Sequence, residues 1–137
     1  MTENKTRSIP NGMKPRAIAL ADAAEIPGRR QFLQYFDLGV AEASQGLIST
    51  QLTKMRSGME EETGWHYHDC DFQWLFVTKG WLELQFEDGT MERIPENGLC
   101  FIPGGCRHNE TATSDDLEFV EIFMPPKPKT VAVESPL

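Results

Sequence analysis

The chain has 137 residues, enough for one hydrophobic core and too few for two comfortable domains, so a single domain is the default. Lys and Arg number 13 against 21 Asp and Glu, and the formal net charge of -8 would repel a phosphate backbone, which sets nucleic acid aside as a partner. No apolar run approaches the roughly 20 residues of a membrane span, and the polar start TENKTRS lacks the apolar stretch of a secretory signal, so a cytoplasmic protein with no membrane partner is expected.

Residues 1–16 carry charges, Pro10, Gly12 and Pro15 without any period, and are expected to form a flexible arm. A helical turn is expected at 21–26, ended by Pro27 and Gly28. The first strand is expected in RQFLQYFDL at 30–38, followed by LISTQLTKMR at 47–56. After the acidic loop of Glu60, Glu61 and Glu62 come GWHYH, FQWLFVT and WLELQFE, the last two separated by Lys79 and Gly80. Asp88-Gly89 predicts a two-residue hairpin into TMERI, because glycine accepts the positive φ such turns require.

A second turn at Glu96-Asn97-Gly98 leads to LCFIP, NETATSDD reads as a polar loop, and LEFVEIFM at 117–124 alternates as a strand. The barrel domain is expected over 17–124, with 125–137 (PPKPKTVAVESPL) as a loose Pro-rich C-terminal tail. Eight or more short strands with regular turns predict an all-β sandwich or barrel of antiparallel strands with little helix.

Cys70, Cys100 and Cys106 are odd in number and irregularly spaced, which favours buried thiols over a disulfide framework. Cys106 lies two residues before His108 and would share its face on an extended segment, leaving a minor ligand role open. Trp65, Tyr67, Trp74 and Trp81 read as core or interface aromatics, and Arg107, next to His108, as a surface ion-pair partner.

The three histidines carry the chemistry. His66 and His68 form H-x-H in WHYHDCDFQ, and His108 closes the segment IPGGCRH. Strand residues two apart share a face, so the first pair can grip one ion from one side. A lone histidine is more often a satisfied polar group than a ligand. Three at such positions, with none left over, point to a metal site.

The stretch HYHDCDFQWLFVTKG followed by GLCFIPGGCRH resembles the two motifs of the cupin superfamily, small β-barrels that usually hold a divalent metal. His66, His68 and Gly80 match the first motif, with Gln73 at its glutamate position, and Pro103, Gly105 and His108 match the second. The resemblance spans roughly residues 45–124, and its weight comes from several anchors at fixed offsets. Glu60 stands at the first-motif glycine, Gly98 is one residue nearer Pro103 than the motif asks, and Ala112 replaces its asparagine.

The resemblance implies a double-stranded β-helix, or jelly-roll, barrel in a small single-domain cupin that tends to homodimerise. It implies one divalent transition metal ion per chain (iron, manganese, nickel or zinc) held by His66, His68, His108 and Gln73. Gln73 has a second reading, a hydrogen bond to a ligand histidine. With an amide at position 73 no anion is supplied, so the site would keep a charge of about +2 and attract anionic substrates.

Beyond the ligands, no catalytic residue is assigned. The expected function is that of a metal-dependent enzyme acting on a small oxygenated metabolite (a keto acid, sugar acid or diketone) by Lewis-acid isomerisation or elimination, or by iron-dependent dioxygenation. The alternative is a non-catalytic metabolite-binding or sensing barrel.

Overall fold

The computed structural model describes residues 6–137. Its strands are β1 (Ala24–Ile26), β2 (Leu33–Asp37), β3 (Ser49–Met55), β4 (His66–Asp69), β5 (Phe72–Lys79) and β6 (Leu82–Phe86). They continue with β7 (Met91–Ile94), β8 (Leu99–Pro103), β9 (His108–Thr113), β10 (Glu118–Met124) and β11 (Lys129–Ala132). One sheet runs β1-β2-β3-β10-β5-β8 and the other β11-β4-β9-β6-β7, and their assigned strand pairs are antiparallel. The only α-helix among the described residues is one turn, Val40–Ala43.

The strands form where the side-chain period is two. On β5, Gln73, Leu75 and Val77 are buried while Phe72, Trp74 and Phe76 are half-buried on the other face. On β10, Phe119, Glu121 and Phe123 are buried and alternate with half-buried Val120 and Ile122. Leu75, Val77, Leu82, Leu84, Ile94, Cys100, Ile102, Leu117 and Phe119 pack as one core between the sheets. Fully burying each large aliphatic side chain contributes about 1.5–3 kcal/mol, which is what holds the two sheets face to face.

Two glycines set the loops around this core. Gly80 turns β5 into β6 at φ +75, and a Cβ there would collide with Ser114 and Asp116. Gly104 has no room for a Cβ against the Cys70 carbonyl, so the Pro103-Gly104-Gly105 turn lies directly on the loop that follows β4. That contact places His108 beside the H-x-H strand.

Several expectations are corrected. The stretch NETAT is not loop but β9, paired with β6 from His108 to Thr113. Several of its polar residues find partners in other segments, as where Asn109 accepts from Gly64 N and Thr111 donates to Glu83, while the Thr113 hydroxyl is buried without one. The expected loose tail at 125–137 instead supplies β11, which pairs with β4 from Lys129–Asp69 to Ala132–His66 and gives that sheet an edge strand. Residues 20–22 form a 3-10 turn, but Ala24–Ile26 are a strand, because Tyr35 and Asp37 of β2 pair with them.

The Asp88-Gly89 turn is present with Gly89 at φ +89, and Phe86 N donates to Thr90 O, so the loop encloses three residues rather than two. Of the expected arm at 1–16, residues 1–5 lie outside the described residues. Farther along, Lys14 N donates to Ala43 O and Arg16 Nε to Leu38 O, which ties the segment to the barrel.

Candidate metal centre

β4 places His66 and His68 two residues apart, and antiparallel pairing sets His66 directly opposite His108 of β9. The three rings lie 4.4–5.3 Å apart between centroids, and one ligand nitrogen from each falls within 4.8 Å of the others. Such a group could hold a metal ion.

Each ring is anchored at Nδ1. His66 Nδ1 faces Gly64 O at 2.7 Å and His108 Nδ1 faces Cys106 O at 2.9 Å, so both nitrogens donate a proton to a carbonyl. His68 Nδ1 contacts the Thr130 hydroxyl at 2.9 Å, a bond that exists because β11 is paired beside β4. The two carbonyl bonds fix the tautomer and leave Nε2 with a lone pair pointing inward, the arrangement that ligating histidines adopt. Burial, and then the charges of neighbouring imidazoles, push His68 down to about 3, while burial first of all also lowers His66. Neutral imidazoles are the form that binds metal.

Gln73 sits on the inner face of β5, 3% exposed. Its Nε2 donates to Glu121 Oε1 at 2.9 Å, while its Oε1 is buried without a partner. With Glu121 ionised its oxygens accept only, and the amide, donating through Nε2, is left with its oxygen over. The alternative role of Gln73, a hydrogen bond to one of the histidines, is not what the structure contains.

Two carboxylates escape the motif reading. Glu110 lies two residues after His108 on β9, shares its face, and brings Oε2 to 3.5 Å from His66 Nε2. Burial works to raise its carboxyl, but positive charge at His66 and His108, which neutral rings would carry only with a proton or cation bound, and a hydrogen bond from the Thr63 hydroxyl outweigh it and hold Glu110 below the usual range. Glu121 on β10 accepts from Gln51 Nε2 at 2.7 Å, Thr53 Oγ1 at 3.2 Å and Gln73. Burial, partly countered by the Gln51 bond, pushes Glu121 up to about 7.

Both signals were present in the sequence. Glu110 stands at the i+2 position from a ligand histidine, and Glu121 interrupts the apolar face of Leu117, Phe119 and Phe123, where an acidic residue is out of place unless it has partners or work. Their presence corrects the inference that an amide at position 73 leaves the site without an anion.

These atoms fit a divalent cation. With Nδ1 of His66 donating to a carbonyl, its Nε2 lone pair faces the Glu110 carboxylate at 3.5 Å, and two acceptors at that distance repel unless a cation or proton lies between them. His108 Nε2 and Gln73 Oε1 are likewise buried with no hydrogen-bond partner, an arrangement that costs about 1–3 kcal/mol per atom unless something else meets them. Imidazole, amide oxygen and carboxylate together form a donor set for a borderline transition metal.

The remaining expected residues lie outside the cluster. Cys106 contributes its carbonyl to His108, not its sulfur, and Cys100 is buried in the core. Arg107 pairs with Glu87 at 2.8 Å on the outside, and Glu60, Glu61 and Glu62 are exposed. Trp65, Tyr67, Trp74 and Trp81 do not line the cavity over the cluster; Trp81 packs under the Arg93 guanidinium at 3.8 Å.

No protein-family model matches the sequence, and no curated protein matches it significantly. Solved structures do. The polyketide cyclase RemF from Streptomyces resistomycificus superposes with a TM-score of 0.70 at 18% identity over 89% of both chains. KdgF from Halomonas sp. gives 0.61 at 17% identity over 77% of this chain and 90% of its own. A mutant of Bacillus subtilis oxalate decarboxylase gives 0.64 at 15% identity over 97% of this chain and 40% of its own. At these identities the likeness speaks for the architecture, and with both histidine motifs in register the conclusion is that this chain has the cupin fold, a double-stranded β-helix barrel with three histidines gathered on its inner face.

Proposed function

We propose that the protein is a divalent-metal-dependent enzyme that rearranges an oxygenated metabolite by proton transfer, as an isomerase or lyase. The observation that carries this reading is the cluster of three Nδ1-anchored imidazoles beside a cavity lined by His66 and His68 together with two carboxylates, the half-buried Glu110 and the buried Glu121. His66, His68, His108 and Gln73 would hold the ion, with the Glu110 carboxylate beside His66.

When bound, a divalent ion supplies Lewis acidity to a substrate carbonyl or hydroxyl oxygen. The chain's own residues supply the rest. Thr63 orients the Glu110 carboxylate beside His66, so a proton leaving a carbon or oxygen next to the cluster has an acceptor at Glu110 Oε2. Gln51, Thr53 and Gln73 hold Glu121 at the wall of the same cavity, where a second proton can be kept or released. Two proton carriers beside one cluster serve isomerisation and elimination directly, whereas dioxygenation does not require them.

Similar structures include a polyketide cyclase and a DMSP lyase from Ruegeria pomeroyi, so the fold hosts bond-rearranging enzymes. A homodimer joined through the β8 edge, where Leu99 and Phe101 are 62% and 61% exposed, belongs to the same proposal.

The test is turnover of enolisable carbonyl compounds by metal-loaded protein. Consumption that is lost in His66→Ala and falls at least about 100-fold in Glu110→Gln supports the proposal. Ligand-induced thermal stabilisation with no compound consumed would instead favour a non-catalytic binding barrel.

A further inference from the structure

The cavity above the histidines has a volume of about 660 Å³, far more than a compact keto acid of three to six carbons would fill. Its charge is arranged unevenly. At the floor, Glu110 and Glu121 stand beside the imidazoles, so the inner end is rich in carboxylate and hydrogen-bond acceptors. The middle walls are apolar, with Phe32, Tyr35, Met55, Phe119 and Phe123 among the lining residues.

The turn of the β1–β2 hairpin carries Arg29 and Arg30 at the rim. Arg30 is engaged, donating to Thr63 O at 2.9 Å. Arg29 is exposed, lines the cavity and forms no ion pair among the described residues. At the open end of the same hairpin the rim carries Asp37, which with Glu42 and Lys127 makes a balance that attracts no anion. In a chain of net charge -8, the hairpin turn carries two of the three Lys and Arg side chains that line this cavity, so among the lining side chains it draws an anion most strongly.

We infer that the ligand is an amphiphilic acid: a neutral carbonyl or hydroxyl end that reaches the histidine floor, an apolar ring-sized body against the aromatic walls, and a carboxylate held at the rim by Arg29. This inference rests on the proposed function for the identity of the inner end. It also reverses the orientation expected for a keto acid that enters carboxylate-first, because at the inner end Glu110 and Glu121 offset the charge that a bound divalent ion would supply, whereas Arg29 has no acidic partner among the described residues. A neutral hydroxyl meets the same groups as a donor.

The probe is 6-hydroxy-2-naphthoate, which carries a hydroxyl and a carboxylate at opposite ends of an apolar body. Calorimetric titration compares it with 2-naphthol, which lacks the carboxylate, and with pyruvate, on protein with and without loaded metal. The hydroxynaphthoate should bind about three- to tenfold more tightly than 2-naphthol, the range expected of one partly exposed charge pair. Arg29→Ala should erase that difference, Arg29→Lys should keep most of it, and metal content should be the same in all three proteins. Pyruvate binding as tightly as the hydroxynaphthoate, or a carboxylate preference that survives Arg29→Ala, would overturn the inference. An Arg29-dependent preference on metal-free protein, from a preparation that takes up no metal, would leave this inference standing while the metal reading falls.

Discussion

The two sheets meet the cavity with different kinds of polar chemistry. The five-stranded sheet presents His66, His68 and His108, two of them tied to backbone carbonyls within two residues in sequence and the third to Thr130 on the neighbouring strand. The six-stranded sheet presents Glu121 and Gln73, held by a network that draws Gln51 and Thr53 from β3, Gln73 from β5 and Glu121 from β10. One half of the site is thus built from local sequence and the other from register between distant strands. In the first half each ligand is positioned almost independently, so removing one leaves the others oriented. In the second half every group relies on the next, so a change of charge at one position is felt by all.

Substitutions separate the halves, and the largest effect belongs to the first. His108→Ala removes a nearly sealed ligand, 1% exposed, and is expected to weaken metal binding more than about 100-fold while the barrel stays folded. Metal titration with circular dichroism as a folding control checks both parts; retained metal affinity would detach His108 from the site.

Next in size is Gln73→Glu, which sets two carboxylates against each other where an amide now donates to Glu121 at 2.9 Å. The metal-free variant should lose about 1–3 kcal/mol in a urea melt above pH 7, and the double variant Gln73→Glu/Glu121→Gln should recover most of it. Equal losses in the single and double variants would show that the network does not couple the two positions.

A smaller effect is expected where β11 supports the first half. Thr130→Val removes the hydroxyl at 2.9 Å from His68 Nδ1 and should lower metal affinity about tenfold with little loss of stability. An unchanged affinity would mean that strand pairing alone orients His68.

The last effect is read as a trend, in the pH dependence of stability. Glu121 is raised to about 7, so the folded chain holds a proton there that the unfolded chain gives up near the ordinary value of 4.5. Its contribution is therefore fully present below about 4.5 and is lost as pH rises through about 7. Burial makes His68 act oppositely: with a folded value of about 3 against an ordinary 6.5, it costs stability as pH falls below about 6.5. Metal-free Glu121→Gln should gain on the native protein as pH rises from about 4.5 to 7, a trend readable in thermal melts. Parallel melting curves across that window would contradict the shift.

The same contrast explains what could be read from sequence. The H-x-H pair, Gly80, and Pro103 to His108 are close-range patterns, and each strand from β2 to β8 announces itself by alternation and a flanking turn. The strand β9 did not, because NETAT is polar at four of its five positions and becomes a strand only through partners such as Gly64 and Glu83. Likewise β11 looked like tail, since four residues after a Pro-rich stretch gain structure only by pairing with β4. Glu121 lies 48 residues from Gln73 and 70 from Gln51. No pattern in the chain states that register, and so the network around Glu121 stayed hidden while the imidazoles were visible.

The central claim is that the three histidines hold one divalent ion, and metal content tests it most directly. Protein purified without an affinity tag, reconstituted separately with iron, manganese, nickel and zinc and then dialysed, should retain about one ion per chain with at least one of these metals. Less than about a tenth of an ion per chain with every metal would contradict the account.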